Sequence, residues 1–301
     1  MARARVGLLN CVKPLCAVSQ KRSLPVLKPS KQHSENGIVT TYKHLIVERS
    51  GKIAIITFSR PDKANALNYD LVAEIEQAAL SFRDDIESRV VIFTGKGMNF
   101  CSGADLTDPG EGYTGPLIRR RRRRRIGERT IQAIMEMDQV TITAWNGAAA
   151  GGGGCLALAT DFRVAADDCL LFFPEVDLGL SMMWRASPMI VSLVGPARAK
   201  RLMIGGERID GETLMKWGAV DYLVPRDQLM EKAREMADFY AGKPHIAAQM
   251  IKRSVNAYST ALDRAVMHMD VDQFLLAQSS DDHGSAGKAY REKTRPVLKG
   301  D

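Results

Sequence analysis

Four consecutive glycines at positions 151–154 set the tightest condition on how this chain can fold. They end the segment Asn146-Gly147-Ala148-Ala149-Ala150, which follows an apolar run at 140–145 that reads as a strand. They also open a stretch, 156–159, that reads as helical. Glycine loses the most backbone freedom on ordering and is a poor helix residue. A run of four therefore implies that the main chain must come close to something and aim its amide hydrogens at it, an anion or a developing oxyanion being the natural guest. Tight helix packing is the other explanation. The spacing matches neither a dinucleotide fingerprint nor a phosphate-binding P-loop.

Strand and helix signals alternate on either side of this run. Residues 44–48 and 53–58 form β-branched apolar runs joined at Ser50-Gly51, the pattern of a hairpin. Leu67, Leu71, Val72, Ile75, Ala78 and Ala79 share one face of a helix for which Asn68 is a suitable cap. Short strands follow at 90–94, 140–145 and 162–165, with a helix completed at 131–135. This alternation predicts a parallel sheet with crossover helices. Beyond Pro196 the pattern turns helical at 197–203, 211–217, 229–240, 245–258 and 261–278, with 219–224 extended.

Two further segments carry chemistry. Cys101-Ser102-Gly103-Ala104-Asp105 follows the strand at 90–94 and offers a second turn of small residues at a strand end, where open α/β sheets place ligands. Phe172-Phe173-Pro174-Glu175-Val176 sets one carboxylate among apolar residues, and desolvation there raises its pKa toward that of a usable base. Two amide-bearing turns facing one housed acid describe enolate chemistry. A carboxylate capping nearby amides is the alternative role for Glu175.

With these motifs in order, the chain resembles the crotonase superfamily, the enoyl-CoA hydratase/isomerase family, from about Tyr42 to Gly300. Arg60-Pro61-Asp62-Lys63-Ala64-Asn65-Ala66-Leu67-Asn68, Asp161-Phe162-Arg163-Val164-Ala165, Gly195-Pro196-Ala197-Arg198-Ala199 and Glu292-Lys293-Thr294-Arg295-Pro296 add to the match. The resemblance implies an α/β fold: a spiral of ββα units over 38–200 and a helical trimerisation region over 201–301. It implies an acyl-CoA substrate, no separate cofactor, and a homotrimer or dimer of trimers. The amides of Ala104 and Gly152 would form the oxyanion hole and Glu175 would be the catalytic acid. Lys63, Ala64, Ala66 and Asp105 would lie along the CoA, and Lys293 would approach its nucleotide or else be a solvated surface lysine. The family's hydratases use two glutamates around one water, and the first of these falls here on Cys155, a poor replacement because its thiol is mostly protonated. A double-bond shift from position 3 to position 2 needs one acid only, so isomerisation is the expectation. Hydration, a dienoyl-CoA isomerase and a non-catalytic subunit of a larger assembly are the other readings. The segment Ser181-Met182-Met183-Trp184-Arg185 replaces the glycine-rich turn usual in hydratases, and its Met and Trp residues suggest an apolar wall of the acyl pocket.

Charge is unevenly placed. Of 42 basic residues seven lie in positions 1–34, before the first acid, Glu35, so the formal charge of +7 belongs to that leader and the body is balanced. A nucleic-acid reading from overall basicity therefore fails. The leader over 1–37, rich in Arg, Lys and Ser and free of acids as far as residue 34, reads as a mitochondrial transit peptide, with a disordered tail as the alternative, and the matrix as the expected location. Five cysteines, two of them in the leader, suggest reduced thiols. Seven consecutive arginines at 119–125 read as a solvated loop or oligomer surface, or as a contact for an anionic partner such as RNA. The histidines lack metal-ligand spacing, and no apolar stretch is long enough to span a membrane.

Overall fold

The computed structural model describes residues 29–34, 37–107 and 115–301. Its strands are β1 (Ser30–Ser34), β2 (Gly37–Thr41), β3 (Leu45–Ser50), β4 (Ile53–Phe58), β5 (Val90–Gly95), β6 (Val140–Trp145), β7 (Ala148–Ala150), β8 (Phe162–Ala166), β9 (Leu170–Phe172), β10 (Ile209–Asp210) and β11 (Tyr222–Val224). The helices are α1 (Tyr69–Leu80), α2 (Leu117–Met135), α3 (Gly152–Leu158), α4 (Ala186–Val194), α5 (Pro196–Met203), α6 (Gly211–Trp217), α7 (Leu229–Ala241), α8 (His245–Ser259), α9 (Asp263–Met267), α10 (Asp270–Gln278) and α11 (Asp281–Glu292).

Eight strands form one sheet in the order β1-β2-β3-β4-β5-β6-β8-β11, and β10-β9-β7 form a small second sheet. The first four strands are antiparallel, with the β3–β4 hairpin turning at Gly51. From β4 onward every pairing in the main sheet is parallel. Parallel strands covered on both faces should be apolar throughout, and all of β5 is buried. On one face Ile56, Phe58, Phe93 and Trp145 pack with Leu71 and Ile75 of α1 and Ile131 and Ile134 of α2. On the other, Ile55, Ile92, Ile142 and Val164 pack under Leu229, Ala233 and Ala237 of α7. The Asn68 carboxamide caps α1 by accepting from the Leu71 amide at 2.9 Å. The α/β fold and the helical C-terminal region are as expected, although that region also supplies β11 to the main sheet.

Three expectations change in detail. Residues 1–28 of the leader lie outside the described residues, but 30–34, assigned to the same leader, form β1 and pair with β2. The helix expected over 261–278 is two helices, α9 and α10, meeting at His268-Met269. The arginine run is part of α2 and is not a loop. Arg121 forms a two-pronged bond to Asp272 of α10, Arg129 does the same to Glu76 of α1, and Arg124 is buried with its guanidinium over Phe274 and bonded to Gln278. Arginine stems cover apolar surface while their heads find acids, so the run docks α2 against the C-terminal helices. No described helix is long and apolar enough to cross a membrane, and among the described residues no group of three or more His, Cys, Asp or Glu could hold a metal.

Candidate active site

The loops leaving the carboxyl ends of β4, β5 and β6 converge, as expected where an open parallel sheet binds its ligand. Two asparagines fasten these exits. Asn65 accepts from the Arg60 amide and donates to the carbonyls of Lys96 and Asn99, joining the β4 exit to the β5 exit. Asn146 accepts from the Gly95 amide and donates to the carbonyls of Gly95 and Gly97, joining β5 to β6. Ala64 and Asn65 both adopt left-handed backbone, which folds the 60–66 segment into a tight bend.

The two amide-bearing turns are zipped together. The Cys101 amide donates to the Ala148 carbonyl at 3.1 Å, and the Ala150 amide donates to the Cys101 carbonyl at 3.0 Å. At Gly103 a side chain would stand 2.7 Å from the Ala150 carbonyl oxygen, so glycine is required for the turns to touch. On the other side of this turn the Leu67 amide donates to Gly103 and the Asp105 amide to Leu67. The Ala104 amide stands between these two bonds and belongs to neither. The Gly152 amide lies in the first turn of α3, where no carbonyl of the helix can accept it. Ala104 and Gly152 thus occupy neighbouring turns, each with its amide outside the local ladder.

Glu175 approaches from the segment after β9. A side chain at Gly151, whose φ is +49°, would lie 2.6 Å from Glu175 Oε1, so the carboxylate rests directly on the glycine run beside Gly152. Among the described residues its Oε2 is buried without a hydrogen-bond partner, and burial raises its pKa to about 7. The Glu175 side chain caps no helix. Burial raises this carboxyl, as its apolar neighbours in sequence suggest, and its one backbone bond is to its own amide. For the glycine run both explanations apply. Gly151 and Gly152 meet Glu175, Leu67 and Trp184, whereas side chains at Gly153 and Gly154 would overlap Cys101 and crowd Leu171 and Phe173, which is tight packing.

Cys155, where a second acid might have stood, is only 2% exposed. Its thiol is pushed well above its ordinary value, first by burial and then by the negative charges of Glu175 and Asp270. It stays protonated at neutral pH.

The residues expected along a CoA divide. Lys63 is exposed, Ala66 is buried, and with Ala64 they sit on the bend beside the Cys101–Ala104 turn, where the Ser102 amide donates to the Ala64 carbonyl. Asp105 faces inward. Burial opposes its charge, but bonds from the Thr107 side chain and amide and from the Arg60 guanidinium outweigh it and lower its pKa to about 2. Since Arg60 also donates to the Ala66 carbonyl, the visible contacts of Asp105 are those of a latch between the two loops. Lys293 is exposed in the left-handed cap of α11 and forms no ion pair among the described residues. Sequence reasoning missed Arg60, Asn65 and Asn146 as loop fasteners. It also missed Gly127 of α2, where an added side chain would overlap the Trp184 ring. A glycine within a helix is the one local signal that could have marked that contact.

Residues 48–301 match the model of the family described as enoyl-CoA hydratase/isomerase. The chain is 30% identical to the crotonyl-CoA hydratase of Syntrophomonas wolfei, over 84% of this chain and 97% of that protein. It is 34% identical to the carnitinyl-CoA dehydratase of Citrobacter koseri, again over 84% and 97%. The solved enoyl-CoA hydratase/isomerase of Pseudoalteromonas atlantica superposes with a TM-score of 0.77 at 25% identity, covering 85% of this chain and all of that one. On the match of its body from β3 to its last residue, the chain belongs to the enoyl-CoA hydratase/isomerase family of the crotonase superfamily.

Proposed function

We propose that the protein shifts the double bond of an enoyl-CoA from position 3 to position 2, with Glu175 as sole proton carrier. The observation that carries this reading is the pairing of a raised carboxylate at Glu175, whose Oε2 has no partner among the described residues, with a protonated, buried thiol at Cys155. Glu175 takes the proton from C2 of the thioester. The electrons of that C–H bond move into a dienolate whose oxygen accepts from the Ala104 and Gly152 amides, a pair of which each member is typically worth about 3 kcal/mol of barrier. The same carboxyl then returns the proton at C4, leaving the bond between C2 and C3. One acid therefore suffices, and no step consumes water. The backbone of Lys63, Ala64 and Ala66 would hold the adenine end, with Lys293 near the nucleotide.

Incubation with 3-enoyl-CoA should yield the 2-enoyl product, and Glu175→Gln should slow its formation by orders of magnitude while CoA affinity persists. Equal inertness of both proteins on a panel of enoyl thioesters would overturn the reading. Hydration is the second reading, favoured by the hydratase and dehydratase names of the two relatives; it requires 3-hydroxyacyl-CoA from 2-enoyl-CoA. We also assign self-association to the exposed apolar row Ile246, Met250, Ile251, Val255 and Tyr258 of α8, whose expected readout is a trimeric or hexameric mass by light scattering. The basic leader is proposed to direct the chain to the mitochondrial matrix. A fluorescent fusion that stays cytosolic would contradict this.

A further inference from the structure

We propose that Trp184 is the ruler of the acyl pocket, its indole packed against the oxyanion-hole residue Gly152 so that the site accepts short acyl chains and excludes long ones. The inference deepens the proposed reaction and rests on it for the placement of the substrate.

The ring is held between two glycines. A side chain at Gly152 would stand 3.0 Å from the indole Cζ3, and one at Gly127 would overlap the ring. Gly127 comes from the middle of α2 and Gly152 from the start of α3, so the indole spans the space between these helices. Glu175 touches Gly151 and Trp184 touches Gly152. Acid and ring therefore flank one amide from adjacent residues. With Glu175 facing C2 and C4 of a thioester whose oxygen accepts from that amide, the carbons beyond C4 are those that meet the indole on the other flank. A ring serving only the core would be enclosed, as Trp145 is at 0% exposure, yet Trp184 keeps part of its surface open.

The ring is also fixed in place. Trp184 and Arg185 have φ of +63° and +59°, a backbone that bulky residues adopt only when the surroundings impose it. Arg185 supplies that constraint. Its guanidinium bonds Asp263 of α9 at 2.6 Å in a buried pair and also reaches Gln132 of α2, while its amide donates to Asp270 of α10 at 3.3 Å. A wall anchored to three helices limits chain length and does not swing as a lid.

The test compares binding of butanoyl-CoA and decanoyl-CoA by calorimetry, and turnover of 3-butenoyl-CoA and 3-decenoyl-CoA. Trp184→Ala should raise the long-to-short ratio of affinity and of kcat/KM by at least about tenfold, the scale on which pocket contacts discriminate alkyl groups. Gly127→Ala should push the indole toward Gly152 and weaken even butanoyl-CoA binding, and the Gly127→Ala/Trp184→Ala double variant should recover it. The recovery separates a steric role from general damage to the fold. Turnover with an unchanged chain-length ratio in Trp184→Ala would overturn the ruler and leave the reaction standing. A shifted binding ratio with no isomerisation by either protein would keep the ruler and overturn the reaction. Should Trp184→Ala fail to fold, Trp184→Phe must shift the ratio in the same direction, and an unchanged ratio there overturns the ruler.

Discussion

Two carboxylates border the same pair of amide turns and are driven in opposite directions. Asp105 lies on the turn itself, bonded by Arg60 and Thr107, with its pKa lowered to about 2. Glu175 arrives on a different segment, rests against Gly151, leaves one oxygen without a partner, and has its pKa raised to about 7. Burial acts against ionisation at both sites, so the difference lies in the company each acid keeps. A carboxylate with every oxygen committed holds loops together. One that keeps an oxygen free is available to exchange a proton near neutral pH. The comparison teaches that the proton carrier is recognised by what the fold withholds from it.

The largest expected effect breaks the Glu175 half of this contrast. Glu175→Gln keeps the shape and removes the base, and kcat for the double-bond shift should fall by roughly 10²–10⁴-fold, the usual share of a positioned acid–base group. Breaking the other half should cost stability first. Asp105→Asn leaves the Arg60 guanidinium, 11% exposed, without its counter-charge, and urea unfolding should show a loss of about 3 kcal/mol. A loss near zero would mean that Thr107 and water replace the bond, and that Asp105 is no latch.

A third, smaller effect has the opposite sign. Because the folded pKa of Glu175 lies above its ordinary value of 4.5, the folded state binds the proton more tightly than the unfolded chain does. Stability contributed by the protonated carboxyl is therefore full below about 4.5 and is lost as pH rises to about 7. Glu175→Gln removes this penalty and should be more stable than wild type above pH 7, on the order of 1–3 kcal/mol, with the gap closing toward pH 4. Equal stability at both pH values would show a solvated, unperturbed acid. The smallest effect belongs to Cys155→Ala. A protonated thiol outside the proton path should leave the rate of isomerisation nearly unchanged, and a large loss would assign the thiol a part in the reaction.

Much of this arrangement was legible in the sequence because its signals are local. Asn68 precedes a periodic helix and caps it, the glycine run marks close approach, and Phe172-Phe173-Pro174 announces an apolar setting for Glu175. What escaped depends on distant partners. The arginines of α2 hide their amphipathic face, because Arg124 is buried by Phe274 and Gln278, which no pattern within the run reveals. Strands β7, β9 and β10 have two or three residues each, too few for alternation to register. The break between α9 and α10 carries neither Gly nor Pro. Gly127 and Trp184 meet only through the packing of α2 against the segment that leads into α4, and partners of Arg185 come from α9 and α10.

The central claim is that one carboxyl both removes and returns the proton. Its most direct test is single-turnover conversion of 3-enoyl-CoA deuterated at C2, followed by mass spectrometry or NMR of the 2-enoyl product. If Glu175 carries the proton from C2 to C4, deuterium should appear at C4 above the level set by solvent, and the transfer should vanish in Glu175→Gln. Deuterium at C4 that persists in Glu175→Gln, or a 3-hydroxyacyl-CoA as the main product of wild type, would contradict it.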